Sequence, residues 1–144
     1  MPYQNMHHYI RESPWSGPRV IKQARTEIVW HPYFETGSIL LGDESADARS
    51  GETSAGVGRQ YNGRLGKVDL SQVGVFLSIT KDGKHNWIDG ELYLPEDWFD
   101  EDHKELRKKA GVPEARKFQT KPELFWQMLQ RAQMEGLPFD AVAV

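Results

Sequence analysis

There is no cysteine among the 144 residues, which excludes disulfides, thiolate metal sites and cysteine nucleophiles and suits a reducing compartment. No apolar run approaches the roughly 20 residues that cross a bilayer. The polar stretch from Met1 to Tyr9 lacks the basic-then-apolar pattern of a secretory signal. A cytoplasmic protein with no membrane partner is therefore expected. An excess of positive charge is also missing. The formal net charge is −3, whereas nucleic-acid proteins usually carry a basic footprint.

What is present is enough apolar material for one core: hydrophobic residues make up 38% of the chain, including 5 Trp, 5 Tyr and 6 Phe. The tryptophans read as core residues rather than as a base-stacking platform. The positive charges are unevenly spread. Between Gly56 and Lys84 stand Arg59, Arg64, Lys67, Lys81 and Lys84 against only Asp69 and Asp82, while acids gather at Glu96, Asp97, Asp100, Glu101 and Asp102. Such a basic strip can bind phosphate on a net acidic domain, although mixed solvated charge explains it equally well.

Periodicity orders the chain. A short helix over Tyr3–Glu12 ends at Ser13-Pro14, and a second begins near Ser16-Gly17-Pro18 and stops at His31-Pro32. Ser38 to Asp43 is a short apolar run closed by an acid, the pattern of a strand buried on both faces. Residues 44–70, rich in Gly, Ser and Ala, read as a long loop. Gln72–Thr80 alternates, Asp82-Gly83 signals a hairpin, and Asn86–Leu94 returns. A short helix is expected around Asp102–Ala110. Thr120 and Glu123 make a capping box for a helix from Lys121 to about Glu135, with Gly136 as its stop. A last strand begins near Phe139.

Several apparent motifs fail. Gly66-Lys67 lacks the upstream glycine and the following hydroxyl residue of a phosphate-binding loop, and Gly56-Val57-Gly58 lacks the third glycine of a dinucleotide fingerprint. His7 and His8 are adjacent and point apart. Asp43 carries more, because a carboxylate ending an apolar strand must be solvated, paired or metal-bound. It can be a turn or capping residue, or a ligand for a hard divalent cation.

Blocks spread along the chain bear on that choice: His8-Tyr9-Ile10 with Ser13-Pro14-Trp15, Gly42-Asp43-Glu44-Ser45, and Gly56-Val57-Gly58-Arg59-Gln60-Tyr61. They continue in Gly63 to Lys67, Leu92-Tyr93-Leu94-Pro95, Lys109 to Pro113, and Phe118 to Glu123. In this order and spacing they resemble the DDE superfamily endonuclease domain of insertion-sequence transposases. The resemblance implies a partial RNase H-like fold, an α/β arrangement with a mixed sheet in strand, hairpin, helix, strand order. It would comprise an N-terminal helical segment over residues 1–36 and a partial catalytic domain over 37–144.

It further implies Asp43 as the first catalytic aspartate and a ligand of Mg²⁺ or Mn²⁺, DNA as partner, and metal-dependent strand cleavage and transfer in the intact parent. Arg59, Arg64, Lys67 and Lys121 are the candidate phosphate contacts. Where the family shows Gly-Phe-Pro followed by lysines, Ala46-Asp47-Ala48-Arg49-Ser50 stands here. The chain reads as the front of such a domain, stopping before the second aspartate and inactive alone. Self-association, or association with a full-length transposase, is expected. Two alternatives are a non-catalytic DNA-binding or subunit-binding inhibitor, and a stand-alone hydrolase pairing Asp43 with Asp89 or Glu91. Asp89 and Glu91, on the face of the return strand opposite Ile88 and Leu92, are expected to face solvent.

Overall fold

The computed structural model describes the backbone of residues 3–144 and their side chains other than those of Tyr3, Gln4 and Ile10. In chain order the elements are α1 (Tyr3–Glu12), α2 (Gly17–Val29), β1 (Ile39–Ala48), β2 (Gly58–Asn62), β3 (Lys67–Lys81), β4 (Lys84–Tyr93), α3 (Lys104–Lys109), α4 (Lys121–Met134) and β5 (Ala141–Ala143). Short 3₁₀ turns at Pro32–Phe34, Glu96–Phe99 and Glu101–His103 join them.

The long β3 organises the sheet. Its Ser71, Val73, Val75, Leu77 and Ile79 are buried and alternate with half-buried residues, the period-two signature of a strand covered on one side. One edge of β3 pairs antiparallel with β1, from Thr80 opposite Ile39 to Ser71 opposite Ala48. The other edge serves two strands in turn, β4 along Val73–Lys81 and β2 along Lys67–Ser71. β5 joins the outer edge of β1 in parallel. The strand carrying Asp43 thus lies between the β3–β4 hairpin and the last strand, as expected for a partial RNase H-like sheet.

Local signals explain most element ends. Asp82 and Gly83 both take positive φ, 48° and 76°, the two-residue turn whose twist suits a hairpin. The Thr120 hydroxyl accepts the Glu123 N–H, and the Glu123 carboxylate accepts the Thr120 N–H at 2.7 Å, closing the capping box of α4. Gly136, at φ 75°, follows that helix. Leu124, Met128 and Ala132 of α4, with Ile28 of α2, close over Leu40, Val75, Leu77, Ile79 and Ile88.

Residues 44–70 are not a long loop. β1 runs on to Ala48 and β2 forms over Gly58–Asn62, because β3 is long enough to offer ladder partners to both. These stretches are held by backbone hydrogen bonds rather than by an apolar stripe, so their composition conceals them. Asp43 consequently stands in mid-strand rather than closing one. Nor is β1 buried on both faces. Leu40 is fully buried, whereas Ile39 and Leu41 are 38% and 37% exposed on the opposite side.

The largest departure is in β4. The register slips between Leu77, opposite Asp89, and Ser78, opposite Trp87, leaving Ile88 as an extra bulged residue. Unbroken alternation would turn Asp89 and Glu91 to solvent. The bulge instead brings Ile88 and Asp89 inward together and sets Asp89 and Glu91 opposite Leu77 and Val75 on the helix-covered face. Asp89 is 6% exposed and is met there by Arg25 of α2 at 3.3 Å and Arg131 of α4 at 2.8 Å. Arg131 also holds Glu91 at 2.7 Å, and Arg116 lies 3.4 Å from the same carboxylate. Arg25 reaches Glu135 at 2.6 Å and donates to the Ile88 carbonyl. The hydrogen bond from Arg25 holds the Glu135 carboxyl below the usual glutamate range against the opposing effect of burial.

Arg25 is itself only 6% exposed. Truncating it leaves buried Asp89 with Arg131 alone, and breaking buried pairs of this kind costs about 3–5 kcal/mol. Arg25→Ala is expected to lower unfolding free energy by about 3 kcal/mol. Arg11→Ala, which removes only the exposed pair with Glu12, should be neutral within error. Urea denaturation of the two variants beside the parent measures this, and equal midpoints for all three would discount the network.

Candidate functional site

Asp43 projects from the face of the sheet opposite the helices. Its cross-strand partner is Phe76, one residue out of phase with the buried Val75 and Leu77. Its Oδ1 accepts the Glu44 N–H at 2.8 Å. Beside it the Phe76 and Trp87 rings stack, centroids 5.2 Å apart and planes 24° from parallel. Phe76 is pressed close to the backbone at Gly74, where a side chain would collide with the ring. Leu41, Asp43, Phe76, Trp87 and Ala143 border an open depression of about 580 Å³.

The residues flanking Asp43 belong to the other face. Glu44 pairs across the strand with Val75, and its carboxylate meets Lys121 Nζ at 2.6 Å. Gly42 lies opposite Leu77, and the Phe125 ring of α4 occupies the space a β-carbon would need there. The glycine lets the helix settle directly onto β1 beside Asp43.

For a hard divalent ion the question is how many oxygens converge. Asp43 supplies one carboxylate, Glu44 points away toward Lys121, and Asp89 and Glu91 lie across the sheet, held by arginines. Among the described residues no group of three or more His, Cys, Asp or Glu could hold a metal ion. Six or more oxygen ligands, in part water, are usual for such ions. The described residues therefore do not make a complete site around Asp43. The same separation withdraws the acids from any stand-alone hydrolase built on Asp43 with Asp89 or Glu91.

The basic residues do not form one strip. Lys81 and Lys84 lie at one end of β3, both over the Tyr33 ring, at 5.0 and 4.7 Å from its centroid. Arg59, Arg64 and Lys67 lie at the other end, on the β2–β3 hairpin, on the order of 45 Å away along an extended strand. Lys67 is paired with Asp69 at 2.9 Å, and a hydrogen bond from that lysine is the main reason the Asp69 carboxyl stays below its ordinary range. Lys121 is engaged by Glu44 and lies 5.4 Å from the centroid of the Tyr93 ring. Arg59 and Arg64 are exposed.

The tryptophans depart from expectation too. Trp98 is buried and donates its indole N–H to the Val57 carbonyl at 2.8 Å, but Trp15, Trp30, Trp87 and Trp126 are all exposed. Sequence reasoning missed Phe76 and Trp87 as neighbours of Asp43. The available signal was Phe76 itself, a large aromatic between Gly74 and Ser78 on the outward set of an alternating strand.

A family model described as DDE superfamily endonuclease matches residues 1–144. A probable transposase for insertion sequence element IS701, from Microchaete diplosiphon, is 30% identical over 139 residues. That alignment covers 96% of this chain and 33% of the relative, so the chain spans about a third of the relative's length. No solved structure matches.

The Gly42–Phe125 contact beside Asp43 is open to a direct test. Gly42→Ala should lower stability by about 1–3 kcal/mol, the range for forcing a methyl into a filled space. Adding Phe125→Leu should recover part of that loss. Thermal or urea melts of the single and double variants measure the coupling, and strictly additive effects would remove it.

Proposed function

Since the chain belongs to the DDE superfamily endonucleases, we propose that it is the N-terminal portion of a transposase catalytic domain, with Asp43 as the first metal-binding, catalytic aspartate. The observation that supports this most is the placement of Asp43. Its carboxylate stands on the strand between β3 and β5, exposed beside an open depression, while the neighbouring acid is drawn to the other face by Lys121. Asp43 would contribute one ligand to Mg²⁺ or Mn²⁺, and the chemistry such an ion would supply is polarisation of phosphate oxygens and activation of the attacking one. In this reading a complete ligand set requires further carboxylates from outside residues 1–144, and the chain alone does not cut DNA.

DNA is the proposed partner, through Arg59 and Arg64 first. Lys67 and Lys121 contribute less, because each already faces a carboxylate. A non-catalytic DNA-binding or subunit-binding role is the second reading, and the open face of the sheet favours it. Ile39, Leu41 and Trp87 are exposed there together, and the outer edge of β5 has no strand beside it among the described residues.

Two measurements test these readings. Mn²⁺ titrated into the labelled protein should broaden amide signals centred on Gly42–Glu44, and Asp43→Ala should abolish that broadening. Neither protein should cleave DNA with Mg²⁺ or Mn²⁺. Broadening centred elsewhere would remove Asp43 as a ligand, and cleavage lost in Asp43→Ala would show the ligand set to be complete. Separately, light scattering should show association rising with concentration and suppressed by Leu41→Lys. A monomer at all concentrations would count against the second reading's subunit contact.

A further inference from the structure

The β2–β3 hairpin runs past the paired ends of β1 and β4. β1 pairs with β3 only as far as Ser71, and β4 only as far as Val73. Arg59–Asn62 and Lys67–Leu70 run on as a two-stranded ribbon, joined to the sheet at its base by the Arg49 N–H on the Leu70 carbonyl at 2.9 Å. Its tip is held in one shape. Asn62, 1% exposed, accepts the N–H groups of Arg64 and Leu65 on its side-chain oxygen and donates its amide to the Ser71 hydroxyl at 3.1 Å. Gly66, at φ 66°, completes the turn. This fixed turn carries Arg64 at the end of the ribbon.

One face of the ribbon combines charge with apolar surface. Tyr61 lies opposite Val68 and Arg59 opposite Leu70, so all four share that face. Tyr61 is 62% and Val68 52% exposed, which is unusual for a paired aromatic and a β-branched residue on a strand with a buried continuation. Arg59, Arg64 and Lys67 stand against Asp69 alone, on a chain whose net charge is −3. An anionic partner is thus locally favoured at the ribbon despite the net negative charge of the chain.

We propose that this ribbon enters a groove of duplex DNA, with Arg59 and Arg64 on phosphates and Tyr61 and Val68 against sugars and base edges between them. A two-stranded ribbon fits the major groove, about 12 Å wide. The guanidinium fork suits phosphate oxygens, and a tyrosine offers an apolar body with a polar tip to a wet groove. Because the turn is prefixed by Asn62, little ordering remains to oppose binding. The inference rests on the reading that this chain binds DNA, and it adds the element, the groove and the apolar contact.

The test is fluorescence anisotropy of the full chain with a labelled duplex across a salt series. Arg64→Ala should reduce the slope of log affinity against log salt by about 0.9, the loss of one phosphate contact. Tyr61→Ser should weaken binding about fivefold with the slope unchanged, the scale of a lost apolar or stacking contact. Tyr61→Phe should stay within about twofold of the parent, since the ring is kept. Trp126→Ala, removing an exposed aromatic on α4, should have no effect. Absence of duplex binding by the parent overturns the DNA-binding reading itself. Parent binding with Tyr61→Ser unaltered overturns only the ribbon. Tighter binding to a single strand of equal length overturns the groove in favour of base stacking.

Discussion

The structure depends on a neutral ionic cluster beneath the sheet, in which Arg25, Arg116 and Arg131 meet Asp89, Glu91 and Glu135. The six side chains come from α2, β4, the segment before α4, and the helix α4 with its C-cap. They fix those parts to one another more specifically than apolar contact could, because each hydrogen bond has one geometry. Stability is a separate matter. Burying ions costs desolvation, and well-packed apolar residues in such places are often as stable or more so. The cluster is best understood as selecting one arrangement of α2 against the sheet, where α2 otherwise adds only Ile28 to the buried core.

That cluster exists because of the bulge at Ile88. Without the extra residue, β4 would keep one alternation and send Asp89 and Glu91 to the solvent face, close to Asp43. With it, the acids of the sheet divide. Asp89, Glu91 and Glu44 face the helices and are neutralised by arginine or Lys121, while Asp43 is left on the open face beside Phe76 and Trp87. Structural charge and candidate chemistry are thus segregated by the sheet itself. A cation drawn to Asp43 does not compete with the buried pairs, and the buried arginines do not neutralise Asp43.

What could be read in the sequence follows the same division. The capping box at Thr120 and Glu123, the Asp82-Gly83 turn and the stop at Gly136 were legible because each depends on residues within a few positions of one another. The neighbourhood of β1, β3 and β5 came from the family resemblance, since nothing local pairs Ile39 with Ala141. The bulge was illegible: Trp87-Ile88-Asp89 alternates acceptably in either register, and only cross-strand packing chooses. β2 and the far half of β1 were hidden for a related reason. Their ladders are set by the length of β3, whereas their own residues show no apolar alternation. The four exposed tryptophans defeat composition altogether, because the same residue type serves Trp98 as core and Trp87 as surface.

The division of acids also changes how the net charge should be weighed. A formal −3 argues against nucleic acid only if the charges act as one sum, and over these distances they do not. At physiological salt the screening length is about 8 Å, far shorter than β3, so its two ends are electrostatically independent. Glu91, Asp89 and Glu135 are each paired with arginine within the cluster, so they add little negative charge to the surface. The acids at Asp97, Asp100, Glu101 and Asp102 lie around the 3₁₀ turns that follow β4. A phosphate approaching the β2–β3 ribbon meets mainly Arg59, Arg64, Lys67 and Asp69. For such a chain the local balance at the approaching surface, rather than the total, decides whether a polyanion is attracted.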